Sequence, residues 1–263
     1  MPIQISIVTI NFNNRLGLAD TLRSTLPQLE SPAVEWLIVD GGSSDHPEEV
    51  LVSVVDHPRV AYQSAPDRGI YDAMNKGIER ATGELIVFMN SGDMFADPYV
   101  VSRVLRYRES SRWRWGYGCM RRISQGGDAT AVIAFTPFRI DQLALGLRTI
   151  PHQAVYMERS LLQELGGFNA DFGLAADQEL LLRAAVTSKP CVWIDFLADF
   201  ADGGVGGSRT SSEHVADMRR AVRDNNIAVH KNRFVDTGLS YAVQANFRFL
   251  DLQSTFRRRI QSH

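Results

Sequence analysis

Four short apolar runs, at residues 3–10, 35–40, 60–63 and 85–89, alternate with stretches of helical periodicity. That alternation constrains the chain more than any other feature. The runs are β-branched and only four to eight residues long, as strands buried on both faces of a sheet should be. Between them Leu18, Leu22, Leu26 and Leu29 recur at helical spacing until Pro27 limits the regular helix, residues 46–55 form a second predicted helix, and Ile70, Met74, Ile78 and Ala81 mark one face of a third. Strand and helix in this order predict a doubly wound α/β sheet. After residue 93 the pattern changes. Residues 99–108 read as a helix, 113–135 as antiparallel strands turning at Gly126-Gly127, 152–157 as a strand, 159–165 as a helix ended by Gly166-Gly167, and 178–186 as another helix. The glycine-rich segment 203–208 reads as a hinge before two polar or amphipathic helices.

A chain of 263 residues, 44% hydrophobic, can bury one full core with a small appendage. The net charge of -2 gives no nucleic-acid footprint, but its distribution is uneven. From Arg219 to His263 nine Lys/Arg face three Asp/Glu, which points to an anionic partner for the tail. Phe247, Phe249, Leu250, Leu252, Phe256 and Ile260 interleave with Arg248, Arg257, Arg258 and Arg259, the composition either of a helix packed on the domain or of a peripheral membrane contact. Cys119 and Cys191 have neither zinc nor disulfide spacing. No run is long enough to span a bilayer and the start enters a strand at once, so a cytoplasmic location is expected.

In open α/β sheets ligands bind beyond the carboxyl ends of the strands, which singles out the turns after residues 10, 40 and 89. Thr9 and Asn13 bracket the first, offering a hydroxyl and an amide to a nucleoside. Asp40, followed by Gly-Gly-Ser-Ser-Asp, can accept hydrogen bonds from a base or ribose, or cap its own turn. The helix from Arg68 has a free amide end suited to an anion; Arg68 and Lys76 add positive charge for a diphosphate, while Asp72 and Asn75 share a face that can meet sugar hydroxyls or simply solvent. Asp93 closes the turn Asn90-Ser91-Gly92-Asp93, where a metal or phosphate would sit. His152 is either structural or part of a site, and Asp177 either a catalytic acid–base group or a helix cap.

Longer words narrow these options. Gly69-Ile70-Tyr71-Asp72-Ala73-Met74-Asn75-Lys76-Gly77-Ile78, the Val39-Asp40-Gly41-Gly42-Ser43 turn, the His152-Gln153 pair and the Gly167-Phe168-Asn169 loop resemble, over roughly residues 3–210, the family 2 glycosyltransferases, and particularly the bacterial capsule and colanic-acid exopolysaccharide branch. The resemblance implies a GT-A-type, Rossmann-like mixed α/β sheet flanked by helices, with a C-terminal helical extension. It divides the chain into a glycosyltransferase domain at 1–210, whose nucleotide-binding half is 1–93 and acceptor half 94–210, and a basic extension at 211–263.

The implied chemistry is inverting transfer of a sugar from a nucleotide-diphosphate sugar to a saccharide or polyprenyl-diphosphate-linked acceptor. Asp177 would be the general base and Asp93 the ligand of Mg²⁺ or Mn²⁺. Thr9, Asn13, Asp40, Arg68, Asp72, Asn75, Lys76, Asn90, Ser91, His152 and Arg209 would hold the donor. Three departures from the family pattern stand out: Gly41 where many members have a second acid, Asn90 and Gly92 in the metal motif, and Ala176 before the base. A non-catalytic nucleotide-sugar-binding or scaffold protein, and a nucleotidyltransferase, are the competing readings. The latter lacks a good phosphate loop in Asn11-Phe12-Asn13-Asn14-Arg15.

Overall fold

A computed structural model describes residues 2–124, 126–201, 210–230 and 232–261. The first half follows the alternation in the sequence. β1 (Ile5–Asn11), α1 (Arg15–Thr25), β2 (Val34–Asp40), β3 (Val60–Ser64), α2 (Ile70–Arg80) and β4 (Leu85–Phe88) appear in order. One expectation fails here: residues 46–55 form only a 3₁₀ segment, Pro47–Leu51, followed by turns. His46 enters it with φ +57° and no side-chain cap, so nothing supports a longer helix.

The second half contains β5 (Asp93–Phe95), α3 (Val100–Ser110), β6 (Trp115–Ile123), β7 (Ala129–Ile133), α4 (Ile140–Ala144), β8 (Val155–Glu158), α5 (Arg159–Glu164), α6 (Ala176–Thr187), β9 (Cys191–Ala201), α7 (Ser211–Asp224) and α8 (Arg233–Gln261). His152–Ala154 is a 3₁₀ turn, so β8 begins three residues later than the sequence suggests. β5, α4 and β9 carry no clear local signal and were not expected.

The described strands form one mixed sheet in the order β3-β2-β1-β4-β8-β6-β9-β5, with β7 on β6. β1 pairs in parallel with both β2 and β4, with Asn11 opposite Asp40 and Val8 opposite Phe88. The carboxyl ends of β1 and β2 are therefore level, while β4 stops three residues short and its turn runs on beside β1, with Ser91 N donating to the Ile10 carbonyl at 3.1 Å. From β4 the sheet continues through antiparallel β8, which joins the two expected halves without a break.

Alternate residues feed two cores. Ile5, Ile7, Val34, Trp36 and Ile38 point to the face covered by α1 and α3; Val8, Ile10, Leu37 and Val39 point to the face covered by α2 and α6. Met218, Ala221 and Ile227 belong to that second core beside Leu180 and Leu181. The packing thus runs past residue 210, and α7 contributes to this core. Thr210 and Glu213 start α7 with a reciprocal capping box. α8 leans on α7 through Arg219, which stacks over Tyr241 at 4.1 Å.

Candidate active site

At the end of β2, Asp40 is 1% exposed, and its carboxylate accepts bonds from Asn11 Nδ2 (2.7 Å), Ser43 Oγ (2.5 Å), Ser43 N (2.9 Å), Gly42 N (3.1 Å) and Ser64 Oγ (2.6 Å). Burial pushes this carboxyl up, but the bonds from Ser43, Ser64 and Asn11 outweigh it and hold the group below its ordinary value. With both oxygens committed, Asp40 shapes the Gly41-Gly42 turn. Thr9 likewise turns inward. It is fully buried, donates to the Met89 carbonyl (2.7 Å) and accepts from the Trp36 indole (2.8 Å), so it ties strands together. Asn13 is exposed, at φ +48°, and its Oδ1 accepts from Ser44 N at 2.9 Å, which places it at the crevice mouth.

On α2 the predicted cations do not stand free. Asp72 pairs with Arg68 at 2.9 Å and Lys76 at 3.1 Å, and the hydrogen bond from Arg68 above all holds its carboxyl well below the usual range. One negative charge thus offsets part of the positive field meant for a diphosphate. Asn75 has a second task. Its Nδ2 donates to the Phe168 carbonyl (2.9 Å) and its Oδ1 accepts from Phe168 N (2.8 Å), so half of its hydrogen-bonding capacity is spent on backbone. Asn75 is a clamp on the Gly167-Phe168 loop, where Gly167 has φ +70° and a Cβ would lie 2.5 Å from Asn75 Oδ1. Asn75→Ala should therefore destabilise the protein by about 1–3 kcal/mol, the cost of stranding two part-buried backbone groups, as thermal unfolding would register.

The turn after β4 carries the densest polar cluster. Asp93 is 4% exposed; its Oδ2 accepts from Asn90 N (3.1 Å) and its Oδ1 from Gln153 Nε2 (2.9 Å). Burial raises its pKa, against the attraction of His152 and these two hydrogen bonds. His152 lies between two acids, with Nε2 3.7 Å from Asp93 Oδ2 and Nδ1 3.9 Å from Asp177 Oδ2, while Asn90 Nδ2 approaches Nε2 at 3.1 Å. Asn90 Oδ1, Ser91 Oγ and Gln153 Oε1 are buried without a hydrogen-bond partner. Orphaned oxygens beside a buried carboxylate suit a hard cation. Among the described residues, however, no three His, Cys, Asp or Glu side chains gather as a metal site. The set fits a divalent ion whose shell is completed by anionic ligand oxygens.

Asp177 lies in the first turn of α6, where Ala175 is the N-cap, so the capping alternative does not hold. Its Oδ1 accepts from Gln178 N (2.7 Å) and its Oδ2 from Gln178 Nε2 (3.0 Å), and the amide in turn bridges the backbone of Ile150. Glu179 is 1% exposed and locked to Arg183 by two bonds of 2.7 Å and to Asn225 at 2.8 Å. Only Asp177 of the two is free to face the turn after β4. On the other side of α6 lies a groove of about 740 Å³, lined by Arg68, Asp72, Asn169, Asp171, Glu179 and Asn225 among others. Arg209 and the glycine-rich segment 203–208 lie outside the described residues.

Gln153, legible in the sequence only as the neighbour of His152 in the His152-Gln153 pair, bonds Asp93 directly. Thr21, whose hydroxyl donates to the Asp93 carbonyl at 2.8 Å, belongs to the cluster too and carries no signal in the sequence.

Comparison with known proteins gives the family and the fold. The family model described as glycosyl transferase family 2 matches residues 6–165. A glycosyltransferase of Mycobacterium tuberculosis is 37% identical over 220 residues, 82% of each chain. Among solved structures, Staphylococcus aureus TarS in complex with UDP-GlcNAc is similar with a TM-score of 0.69 at 14% identity, over 93% of this chain and 71% of that one. The mannosyltransferase PcManGT of Pyrobaculum calidifontis, in complex with GDP-Man and Mn²⁺, gives 0.64 at 16% identity, over 98% and 80%. With its strand ends, acidic turn and matching sequence, the chain belongs to glycosyl transferase family 2 and has the GT-A fold.

Proposed function

We propose that this glycosyltransferase moves a sugar, with inversion, from a nucleotide-diphosphate sugar to a hydroxyl of a saccharide or polyprenyl-diphosphate-linked saccharide in bacterial surface polysaccharide synthesis. The sequence of Asp93, His152 and Asp177 beside the turn that follows β4, on the carboxyl side of the sheet, carries this reading. The diphosphate lies over the turn from Asn90 to Asp93, where Mg²⁺ or Mn²⁺ would neutralise it. Asp177 takes the acceptor hydroxyl's proton as that oxygen bonds to the anomeric carbon, and the bond to the diphosphate breaks on the opposite face. His152 fixes the separation between the two carboxylates. The groove beside α6, walled by carboxylates, amides and guanidinium groups, is suited to the hydroxyls of an acceptor saccharide. The UDP-GlcNAc complex of TarS and the GDP-Man and Mn²⁺ complex of PcManGT support such a donor and cation.

Work at the inner face of the plasma membrane is part of the proposal. No helix among the described residues is long and apolar enough to cross a membrane, while α8 exposes Phe234, Tyr241, Phe249 and Leu250 near Arg248. The full chain, given α-linked UDP- or GDP-sugars, Mn²⁺ and a polyprenyl-diphosphate saccharide in anionic vesicles, should release nucleoside diphosphate and form a β-linked product, read by NMR of the anomeric proton. An α-linked product would overturn inversion. Ending the chain after Ala245 keeps Gln244 bonded to α7 but removes four arginines. Vesicle affinity should then fall by about two orders of magnitude or more, at about 1 kcal/mol per basic residue; unchanged affinity would overturn the membrane contact.

A further inference from the structure

Each carboxylate of the site is held by a glutamine, and both glutamines are tied to one short segment. Gln153 donates to Asp93 Oδ1 at 2.9 Å. Gln178, 5% exposed, reaches from α6 to Ile150: its Oε1 accepts from Ile150 N at 3.0 Å and its Nε2 donates to the Ile150 carbonyl at 2.8 Å. The same Nε2 donates to Asp177 Oδ2 at 3.0 Å, and Gln178 N donates to Asp177 Oδ1 at 2.7 Å. Ile150, Pro151, His152 and Gln153 are consecutive, so one unbroken stretch of main chain supports both acids and carries the histidine between them.

The pairing with Ile150 decides which end of the Gln178 amide faces Asp177. A backbone N–H must meet the amide oxygen and a carbonyl the amide nitrogen, because the reverse placement sets donor against donor and acceptor against acceptor. Ile150 is fully buried, so neither of its polar groups can turn to bulk water instead. The amide nitrogen is therefore bound to lie on the Asp177 side, with both of its hydrogens committed. Among the described residues, Gln178 supplies every hydrogen bond that the Asp177 carboxylate accepts.

Resting on the reading of Asp177 as general base, we infer that Gln178 is the positioning residue for proton removal, setting the Asp177 carboxylate in register with His152 and Asp93. With one bond accepted by each oxygen, the carboxylate keeps a lone pair on each for the acceptor hydroxyl. A base must come within about 2.6–3.2 Å of the proton's oxygen, and a displacement of about 1 Å removes much of its effect. Gln178 touches no reacting atom, so its whole effect on the reaction runs through Asp177. A brace that served only the fold would act on the rate whether or not that carboxylate were present.

Kinetics of the full chain separate the two roles. Gln178→Met keeps the length of the side chain and removes the amide. Its kcat should fall about ten- to a hundredfold, the weight of a base displaced by about 1 Å, while donor KM and the affinity for UDP or GDP in Mn²⁺ stay within about threefold. Gln178→Glu keeps a bond to Ile150 N but sets an oxygen against the Ile150 carbonyl and Asp177, so its kcat should fall at least as far despite the equal size. In the Asp177→Asn background, Gln178→Met should lower single-turnover rates by less than about twofold more, because nothing is left to position. An unchanged kcat in Gln178→Met, or the same loss in both backgrounds, would overturn the positioning role and leave Asp177 as the base. The kinetics are read on whichever Gln178 variant still binds nucleoside diphosphate; loss of that binding in both would assign Gln178 to the scaffold and overturn the inference as well. Wild-type turnover in Asp177→Asn would instead overturn the general-base reading, and this inference with it.

Discussion

Asp177→Asn should lower turnover by about two to four orders of magnitude, the usual weight of a general base, while donor affinity and thermal stability stay close to wild type. The structure favours so clean a separation. The substituted side chain keeps an oxygen for one of the two Gln178 donors and its NH2 group must turn from the other, a local cost of about 1 kcal/mol that leaves α6 in place. His152, 3.9 Å away, loses a charged neighbour but keeps Asp93 and Asn90. Single-turnover rates with saturating donor are the direct measurement. Turnover within a factor of about three of wild type would move the base elsewhere. Glu179 would be a poor successor, since its two oxygens already hold Arg183 and Asn225.

That contrast between neighbours on one helix also marks where sequence reading stops. Both acids stand in the same word, and only the fold reveals that Arg183 turns one of them into a staple. Asn75 and Asp72 make the same point on α2. Their spacing on a shared face is correctly read from the helix, but Asn75 is spent on backbone 93 residues away and Asp72 on its own helix's cations.

The strands show a parallel limit. β1, β2 and β4 were legible because they are buried on both faces and therefore uniformly apolar. β9 was not, because apolar residues also point outward: Trp193 and Leu197 are buried while Ile194 and Phe196 are exposed at 82% and 39%, which erases the alternation. β5 is three residues long and exists only by pairing with β9, a contact no local pattern encodes. Thr9 shows a related limit. Its position near a strand end was read correctly, but the hydroxyl points inward to Trp36 rather than out to the crevice.

Asp93→Asn should separate function from stability in opposite directions. Its carboxyl is buried, and burial raises its pKa above the ordinary 3.8. An acid whose pKa is higher in the native than in the unfolded state favours folding most below the unfolded value, and this contribution is lost as the pH rises through the native value. At neutral pH the ionised group is therefore a burden on the fold. An amide removes that burden, and the second polar requirement can be met locally: Gln153 donates to one Asp93 oxygen while its own Oε1 has no partner, so rotation of the Gln153 amide would let it accept from the new side chain. The variant should melt roughly 2–5 °C above wild type at neutral pH, on the scale of 1–2 kcal/mol for a chain of this size. The difference should close as the pH approaches 4. Over the same variants, nucleoside diphosphate affinity in Mn²⁺ should fall about tenfold or more, because the one carboxylate that attracts a hard cation is gone. A higher melting temperature together with unchanged Mn²⁺-dependent binding would show that Asp93 is a strained core acid only, and the diphosphate's charge would then rest on Arg68 and Lys76, whose field Asp72 already weakens.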